Sequence, residues 1–293
     1  MLTARIAGWD IHTLETGYLW LDGGAMFGSV PRVLWSRIEV PDERNRIRLA
    51  MRCLLLEGHG RRVLVDDGIG YKFPARYVDI YRIQHGEHTL ERALSGCGLV
   101  PADVTDVVLT HLHFDHAGGS TRCEGGRLVP ALPNARYHVQ ERNLANARDP
   151  NPRERASYLP ENFEPLAEAG VLDTWDGAGS PWPGLEVFTF DGHTRGQQGV
   201  RVAGPEGTLY FVADLIPFAA HVRIPYVMGY DIAAGETMLE KRALLERATG
   251  EGAWIVIQHD PATAAARPRA EGDDFAWEER LGPEAGVLPT RKA

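Results

Sequence analysis

The feature that most constrains this chain is the run HLHFDH at residues 111–116. Four side chains that can bind a metal occur within six residues, directly after the apolar segment 106–110 and just before a pair of glycines. Imidazole and carboxylate groups are the ligands that borderline divalent metals such as zinc prefer. At a tight turn that leaves a strand, the first two histidines can point the same way, while the aspartate and the last histidine curve towards a second point nearby. The run therefore predicts one turn that serves two metal ions.

Three further metal-ligating side chains lie far along the chain, each at the carboxyl end of a predicted strand. They are His193, Asp214 and His259, and Asp260 is an adjacent alternative to His259. A rigid strand can place a side chain at its end with little freedom, which a metal site requires. The apolar segments concerned are 185–190, 208–214 and 253–258. The predicted ligands are thus His111, His113, Asp115, His116, His193, Asp214 and His259.

The pattern of apolar residues predicts many short strands with helices at intervals, which favours two sheets covered by helices. Residues 47–57 and 61–66 indicate a hairpin, and further strands are predicted at 135–140 and 199–204. Helical spacing of apolar residues predicts helices at 89–99 and 236–248. The proline-rich segment 149–165 indicates a loop, long enough to act as a lid.

We expect a single domain over residues 1–293. Residues 1–46 form an N-terminal extension ahead of the first paired strands, and residues 262–293 form an irregular C-terminal tail over the body. The segment 21–35 is apolar and rich in glycine. It can pack in the core, line the substrate pocket or make a homodimer contact.

Composition limits the partners. The chain has 31 basic and 40 acidic side chains and a formal net charge of −9, so it has no global attraction to nucleic acid or anionic lipid. Its three cysteines are far apart, which fits a reducing compartment. No uninterrupted apolar stretch of about 18 residues occurs, so we expect no membrane span. A cytoplasmic protein that binds a small-molecule substrate, without nucleic acid or membrane, is the expectation.

The ordered set of motifs resembles that of the metallo-β-lactamase superfamily, from about residue 47 to residue 261. The resemblance implies an α/β fold, a four-layer αβ/βα sandwich of two mixed sheets flanked by helices. It also implies that Asp66, in the run VLVDDG at 63–68, supports the metal turn from beneath. By the family pattern the first metal binds His111, His113 and His193, the second binds Asp115, His116 and His259, and Asp214 bridges both.

The chemistry implied is that of a dinuclear metal-dependent hydrolase. Two divalent ions share a water, lower its pKa towards neutrality and provide a metal-bridging hydroxide that attacks a lactone or ester bond. Asp115 would then serve both as a ligand and as a proton acceptor. Zinc is the ion expected, although nitrogen and oxygen ligands also accept iron, manganese and cobalt.

Within the superfamily, HLHFDHAGG and the glycines after His193 are most similar to N-acyl-homoserine lactonases. Those relatives usually carry a tyrosine three residues after the bridging aspartate, where this chain has Pro217. A lactonase or ester hydrolase therefore needs another donor for the substrate oxyanion or leaving group. The candidates nearest along the chain are His221, Tyr226 and Tyr230, and we expect one of them to fold back over the metals.

Two other functions stay open. A phosphotriester or thioester hydrolase of the same fold would use the same ligands. A non-catalytic metal-binding protein or a redox module belongs to another class, and the complete hydrolytic ligand set with its bridging aspartate disfavours it.

Overall fold

The structure, a computed structural model, describes residues 1–289 and arranges them in two seven-stranded sheets and one separate hairpin. The first sheet has the order β1-β2-β3-β4-β5-β8-β9, with bounds Thr3–Ile6, Trp9–Asp22, Arg46–Gly58, Arg61–Val65, Asp106–Val108, Arg136–Gln140 and Leu172–Trp175. The second has the order β10 to β16, with bounds Gly179–Trp182, Leu185–Phe190, Gln197–Gly204, Gly207–Phe211, Trp254–Val256, Ala265–Glu271 and Asp274–Leu281. The hairpin consists of β6 and β7, Thr121–Glu124 and Arg127–Pro130.

The helices of the described part of the chain lie mainly outside the sheets. They are α1 to α8, with bounds Gly23–Phe27, Arg32–Trp35, Ala75–Ile80, Leu90–Gly96, Phe114–Ala117, Glu141–Arg148, Glu164–Glu168 and Ala234–Glu251. The longest of them, α8, lies between the parallel strands β13 and β14 in the chain, as a parallel connection requires. No helix within residues 1–289 is long and apolar enough to cross a membrane.

Both sheets are mixed. Strands β1 to β4 pair antiparallel, whereas β4, β5, β8 and β9 run parallel to one another. In the second sheet the parallel pair β13 and β14 is flanked by antiparallel strands. The mixed sheets predicted by the family resemblance are confirmed.

Burial on both faces of β3 shows how the layers stack. Leu54 and Leu56 pack with Val187 of the second sheet, so this face of β3 lies between the two sheets. Leu55, which points the other way, packs with Leu94 of α4 on the outside. On the far side Leu245 of α8 packs against the second sheet, and the order is therefore helix, sheet, sheet, helix. This is the four-layer α/β fold that was predicted.

Several elements lie where the sequence predicted them. The hairpin of β3 and β4 and the helices α4 and α8 match the predicted positions to within a few residues. The segment 149–165 is a loop as far as residue 163, with one short 3₁₀ turn at Pro160–Asn162, and its last two residues begin α7. Its use as a lid stays a prediction.

Part of the N-terminal segment 1–46 belongs to the first sheet. Strand β2 pairs with β3 along most of its length and is therefore part of the first sheet, although residues 1–46 were expected to lie outside the paired strands. A register shift between Glu15 and Tyr18 interrupts the pairing. Gly17, at this shift, has a positive φ of 133°. Such an irregularity breaks the alternation by which a strand is recognised.

The segment 21–35 contributes largely to the interior. Met26, Phe27 and Trp35 are buried in one cluster, which supports the core-packing interpretation. Val33 and Leu34 are exposed, and a homodimer contact through them stays a prediction.

The prediction of an irregular tail at 262–293 is wrong for most of its length. Residues 265–281 form the antiparallel strands β15 and β16, which complete the second sheet beyond β14. Edge strands are often rich in charge because charged side chains discourage pairing with other molecules, so their composition resembles that of a loop. Residues 290–293 of the predicted tail lie outside the described residues.

Two glycines let the loop after β5 close onto the loop after β4. The amide of Gly119 donates a hydrogen bond to the carbonyl of Gly68, at 2.9 Å. A Cβ on Gly119 would collide with the carbonyl oxygen of Asp67, and one on Gly118 would collide with that of Ile69. Only residues without side chains allow the two backbones this close.

Replacing Gly119 with alanine is therefore expected to lower the free energy of unfolding by about 1–3 kcal/mol, because the added methyl group must displace backbone atoms. Urea denaturation of the metal-free protein, followed by circular dichroism, measures the change. The matched control is Gly250→Ala near the end of α8, where an added Cβ meets no atom within 4 Å. That variant should be unchanged or more stable by up to about 1 kcal/mol. Equal effects of the two substitutions would contradict the packing described.

Candidate metal centre

The loops that follow four strands meet at one place. His111 and His113 lie in the loop after β5, and Asp115 and His116 lie in the short helix α5 that this loop enters. The remaining ligand candidates, His193, Asp214 and His259, follow β11, β13 and β14. All seven side chains are buried and form two adjacent clusters, so the structure brings the whole predicted set together.

The first cluster contains His111, His113, His193 and Asp214, whose ligand atoms all lie within 4.8 Å of one another. Nδ1 of His113 is 3.0 Å from Nε2 of His111 and 3.2 Å from Nε2 of His193. Nε2 of His193 is 3.1 Å from Oδ2 of Asp214. The three imidazoles therefore direct one nitrogen each towards a common point.

These separations are those of ligands around one ion. A zinc–nitrogen bond of about 2.0–2.1 Å places the ligand atoms of a tetrahedral site roughly 3.3 Å apart. Nitrogen lone pairs that face each other at 3.0–3.2 Å repel unless a proton or an ion lies between them. The donor set and its geometry thus fit a divalent metal.

The second cluster contains Asp115, His116 and His259. Nε2 of His116 and Nε2 of His259 are 3.3 Å apart, and each is 3.8 Å from Oδ2 of Asp115. Asp260, the alternative to His259, faces elsewhere: its Oδ1 accepts the amides of Ala262 and Thr263. His259 is therefore the side chain that this strand contributes.

Asp214 lies between the two clusters. Its Oδ2 faces His193, whereas its Oδ1 is 2.9 Å from Nε2 of His259 and 3.5 Å from Nε2 of His116. One carboxylate thus presents an oxygen to each cluster. A carboxylate placed in this way can bridge two ions.

The far nitrogens of four histidines are held by partners that fix the ring orientation. Nδ1 of His116 donates to Oδ2 of Asp66 at 2.9 Å, and Nδ1 of His193 donates to Oδ1 of Asp231 at 2.9 Å. Nδ1 of His259 donates to a backbone carbonyl, and that of His111 donates to the Thr110 hydroxyl. Each bond keeps a proton on the outer nitrogen, so Nε2 can bind a metal once it carries no proton of its own. Asp66 lies beneath the metal turn, as the family resemblance implied.

Charge and burial set the protonation of the metal-free centre. Burial lowers the pKa of His111 and His113 well below the usual range, so both imidazoles are neutral. Burial also opposes protonation of His116, but the nearby carboxylates of Asp214 and Asp115 outweigh it and raise the pKa of His116 well above its usual value. Burial would raise the pKa of Asp214, yet His116 and the other histidines hold it well below the usual range. At His193, too, burial is outweighed by the charge of Asp214, which raises the pKa of this imidazole to about 10. Metal binding at this centre must therefore release protons.

A cavity opens above the two clusters and is lined by members of both. Its apolar lining residues are Leu21, Met26, Leu49, Phe114 and Met228. Its polar lining residues include Tyr81, Arg153, Glu154, Ser157 and Tyr230.

Of the three predicted donors, the structure places one at the cavity. Tyr230 lines it; the residue is 36% exposed, but desolvation by the surrounding protein raises the pKa of its phenol, so it stays protonated and able to donate. His221 does not line the cavity: it is buried, its Nε2 contacts the carbonyl of Met26 at 2.9 Å, and its ring stacks on Phe27. Tyr226 packs edge-on against Phe27, also outside the cavity lining. The prediction of His221 and Tyr226 as donors is corrected, because α1 holds both side chains in an apolar cluster.

Tyr81 and Asp231 are among the residues of the site that were not foreseen from the sequence. Tyr81 lines the cavity beside Phe114, and burial together with the charge of Asp115 raises the pKa of its phenol. Asp231 orients His193 from behind. Tyr81 follows the exposed helix α3, and no local pattern links it to the metal turn. For Asp231 the only signal was its position next to Tyr230.

Comparison with known proteins agrees with this geometry. The family model of the metallo-beta-lactamase superfamily matches residues 52–259, and the chain belongs to that superfamily. An N-acyl homoserine lactonase of Azorhizobium caulinodans is 29% identical over 182 residues, which cover 60% of this chain and 65% of that enzyme. The chain thus matches under two thirds of the length of this relative.

Solved structures show the same architecture over nearly the whole chain. A probable metal-dependent hydrolase from Staphylococcus aureus superposes with a TM-score of 0.87 at 26% identity, covering 96% of this chain and 99% of that one. A dizinc quorum-quenching lactonase superposes with a TM-score of 0.75, covering 94% and 95% of the two chains. Its identity is only 17%, so this likeness shows the fold alone.

Replacing His111 and His113 together with alanine is expected to remove at least one of about two bound divalent ions, because two of the three imidazoles of the first cluster are lost. Metal analysis of protein loaded with Zn²⁺ and then dialysed measures this. His59→Ala is the matched control, since His59 is exposed and its ring bonds to a backbone carbonyl and packs on Trp9, both outside the centre. It should retain the full metal content. Full retention by the double variant would show that the first cluster binds no ion.

Proposed function

We propose that the protein is a dinuclear metal-dependent hydrolase that opens lactone or ester bonds, with Zn²⁺ as its ion. In this proposal His111, His113 and His193 bind one ion, Asp115, His116 and His259 bind the other, and Asp214 bridges them. The observation that carries it is the carboxylate of Asp214, which presents one oxygen to each histidine cluster at the floor of a cavity. Such a bridge is typical of two-metal hydrolytic sites.

When bound, the two ions would supply an activated water and polarise the carbonyl group under attack. The chain's own residues provide the rest. Asp115 lies at the cavity surface beside the second cluster, where its carboxylate can accept a proton from the attacking water. Tyr230 faces the same cavity with a protonated phenol, a donor for the negative oxygen that forms when the carbonyl is attacked.

The apolar lining residues support a substrate with a hydrocarbon part. Leu21, Met26 and Met228 can contact an acyl chain, and the polar lining residues can contact the scissile group. Among the relatives, the Azorhizobium enzyme is named for its action on N-acyl homoserine lactones. A lactone with an acyl side chain is therefore the substrate class that we propose first.

We also propose the compartment, the binding partners and the oligomeric state of the enzyme. Its net charge of −9 and its three dispersed cysteines support a cytoplasmic enzyme of small molecules that binds neither nucleic acid nor membrane. The exposed Val33 and Leu34 support a homodimer through the segment 21–35.

Turnover by metal-free and Zn²⁺-reconstituted protein tests the proposal. The substrates compared are an N-acyl lactone, an aryl ester, a thioester and a phosphotriester. We expect hydrolysis only with metal and the highest kcat/KM for the lactone or the ester. Preference for the phosphotriester or the thioester would assign that substrate class to the enzyme in place of lactones and esters. Absence of turnover on all four substrates would favour a metal-binding protein without hydrolytic function.

Tyr230→Phe should lower kcat by about 100- to 1000-fold, because one hydrogen-bond donor to a developing oxyanion typically contributes about 2.7–4 kcal/mol to lowering the barrier. Steady-state kinetics on the best substrate gives the value. Tyr226→Phe removes the same hydroxyl from a ring that packs outside the cavity lining, and its kcat should stay within a few-fold of the parent. Similar rates for both variants and the parent would exclude Tyr230 as the donor.

A further inference from the structure

One buried carboxylate contacts both the metal centre and the wall of the cavity. Asp231 is 2% exposed. Its Oδ1 accepts the hydrogen bond from Nδ1 of His193 at 2.9 Å, and its Oδ2 accepts the amide of Met228 at 3.0 Å. Each oxygen of this side chain therefore has its own partner, one in the metal centre and one in the loop that precedes Asp231.

That loop, residues 226–230, is called the pocket loop here. Met228 and Tyr230 of the pocket loop line the cavity. Its middle is fastened at Gly229, whose amide donates to the carbonyl of Ala25 at 2.7 Å and whose carbonyl accepts from Arg153. Just after the loop, the amide of Ile232 donates to the carbonyl of His193 at 3.2 Å, which links this segment to the metal centre.

The other histidine partners do not reach the pocket loop. The carboxylate of Asp66 accepts from His116, Thr110 and Gln258, all of which belong to the scaffold beneath the metal turn. His259 donates to the carbonyl of Ala50 on β3. Among the groups that orient these histidines within residues 1–289, Asp231 is thus the one that also holds a cavity-lining residue.

We propose that Asp231 is a positioning residue that couples metal binding at His193 to the conformation of the pocket loop, and so to the placement of Tyr230 against the substrate. This inference rests on the proposed function, since it takes His193 as a ligand and Tyr230 as the donor. A metal on Nε2 fixes the ring of His193, the ring fixes Asp231, and Asp231 fixes the amide of Met228. By linkage, an ordered pocket loop must in turn favour metal binding.

Asp231→Asn tests the coupling sharply. The amide has one acceptor oxygen where the carboxylate has two, so it can accept from His193 or from Met228 but not from both. In either orientation one end of the connection is lost while the size of the side chain is kept. Asp66→Asn is the matched control, because it loses an acceptor towards His116 without any contact to the pocket loop.

Hydrogen–deuterium exchange of residues 226–232, with and without Zn²⁺, reports the coupling without any substrate. In the parent protein Zn²⁺ should slow exchange of this segment by about 5- to 150-fold, the usual range for coupled sites. Both variants should bind Zn²⁺ about 10- to 100-fold more weakly in a chelator competition, as expected when the partner of a ligand is changed. At saturating Zn²⁺ the protection should persist in Asp66→Asn and be lost in Asp231→Asn.

Kinetics gives a second readout once a substrate is known. Because Asp231 acts through Tyr230, Tyr230→Phe should reduce kcat far less in the Asp231→Asn background than in the parent or in Asp66→Asn. Protection of the pocket loop by Zn²⁺ in Asp231→Asn equal to that in the parent would overturn the proposal. So would exchange in the parent that is insensitive to Zn²⁺, a result that needs no variant to fold. If the protein proves to have no hydrolytic activity, the exchange experiment still decides whether the coupling exists.

Discussion

The structure depends on the burial of seven metal-ligating side chains at one place. Removing ionised carboxylates and imidazoles from water is costly unless each finds a partner of opposite charge or a hydrogen bond. Here Asp214 is surrounded by histidines, and the outer nitrogens of four rings are bonded to Asp66, Asp231, a threonine hydroxyl and a backbone carbonyl. In our account two divalent ions are the remaining partners of these buried groups, so metal binding also stabilises the fold.

The two sheets position the candidate ligands, and the loops provide most of the cavity lining. Strands β5, β11, β13 and β14 end near one another and hold the ligand-bearing turns in fixed positions. The cavity above them is lined largely by residues outside the strands, from α1, the loop 149–165 and the pocket loop, while Leu21 of β2 and Leu49 of β3 complete the lining. Such an arrangement keeps the metal chemistry constant while the surrounding loops determine the substrate.

The clustering of the seven candidate ligands was predictable because each is marked locally, by the compact run HLHFDH or by a ligand-type residue that ends an apolar strand. The remaining features depend on contacts between distant segments. His221 lies close to Asp214 in the chain, yet a carbonyl 195 residues away binds its ring outside the cavity. Tyr81 lines the cavity but comes from a segment with no recognisable motif. The strands β15 and β16 are rich in charge, so their composition resembles that of an irregular tail. Proximity in sequence identified the site but did not identify its walls.

The central claim is that Asp214 bridges two ions. Crystals of the Zn²⁺-loaded protein, measured at the zinc absorption edge, test it most directly. The account predicts two anomalous peaks about 3.5–4 Å apart, one beside each oxygen of Asp214. A single peak at full occupancy, with the Asp214 carboxylate bound to no metal, would contradict it.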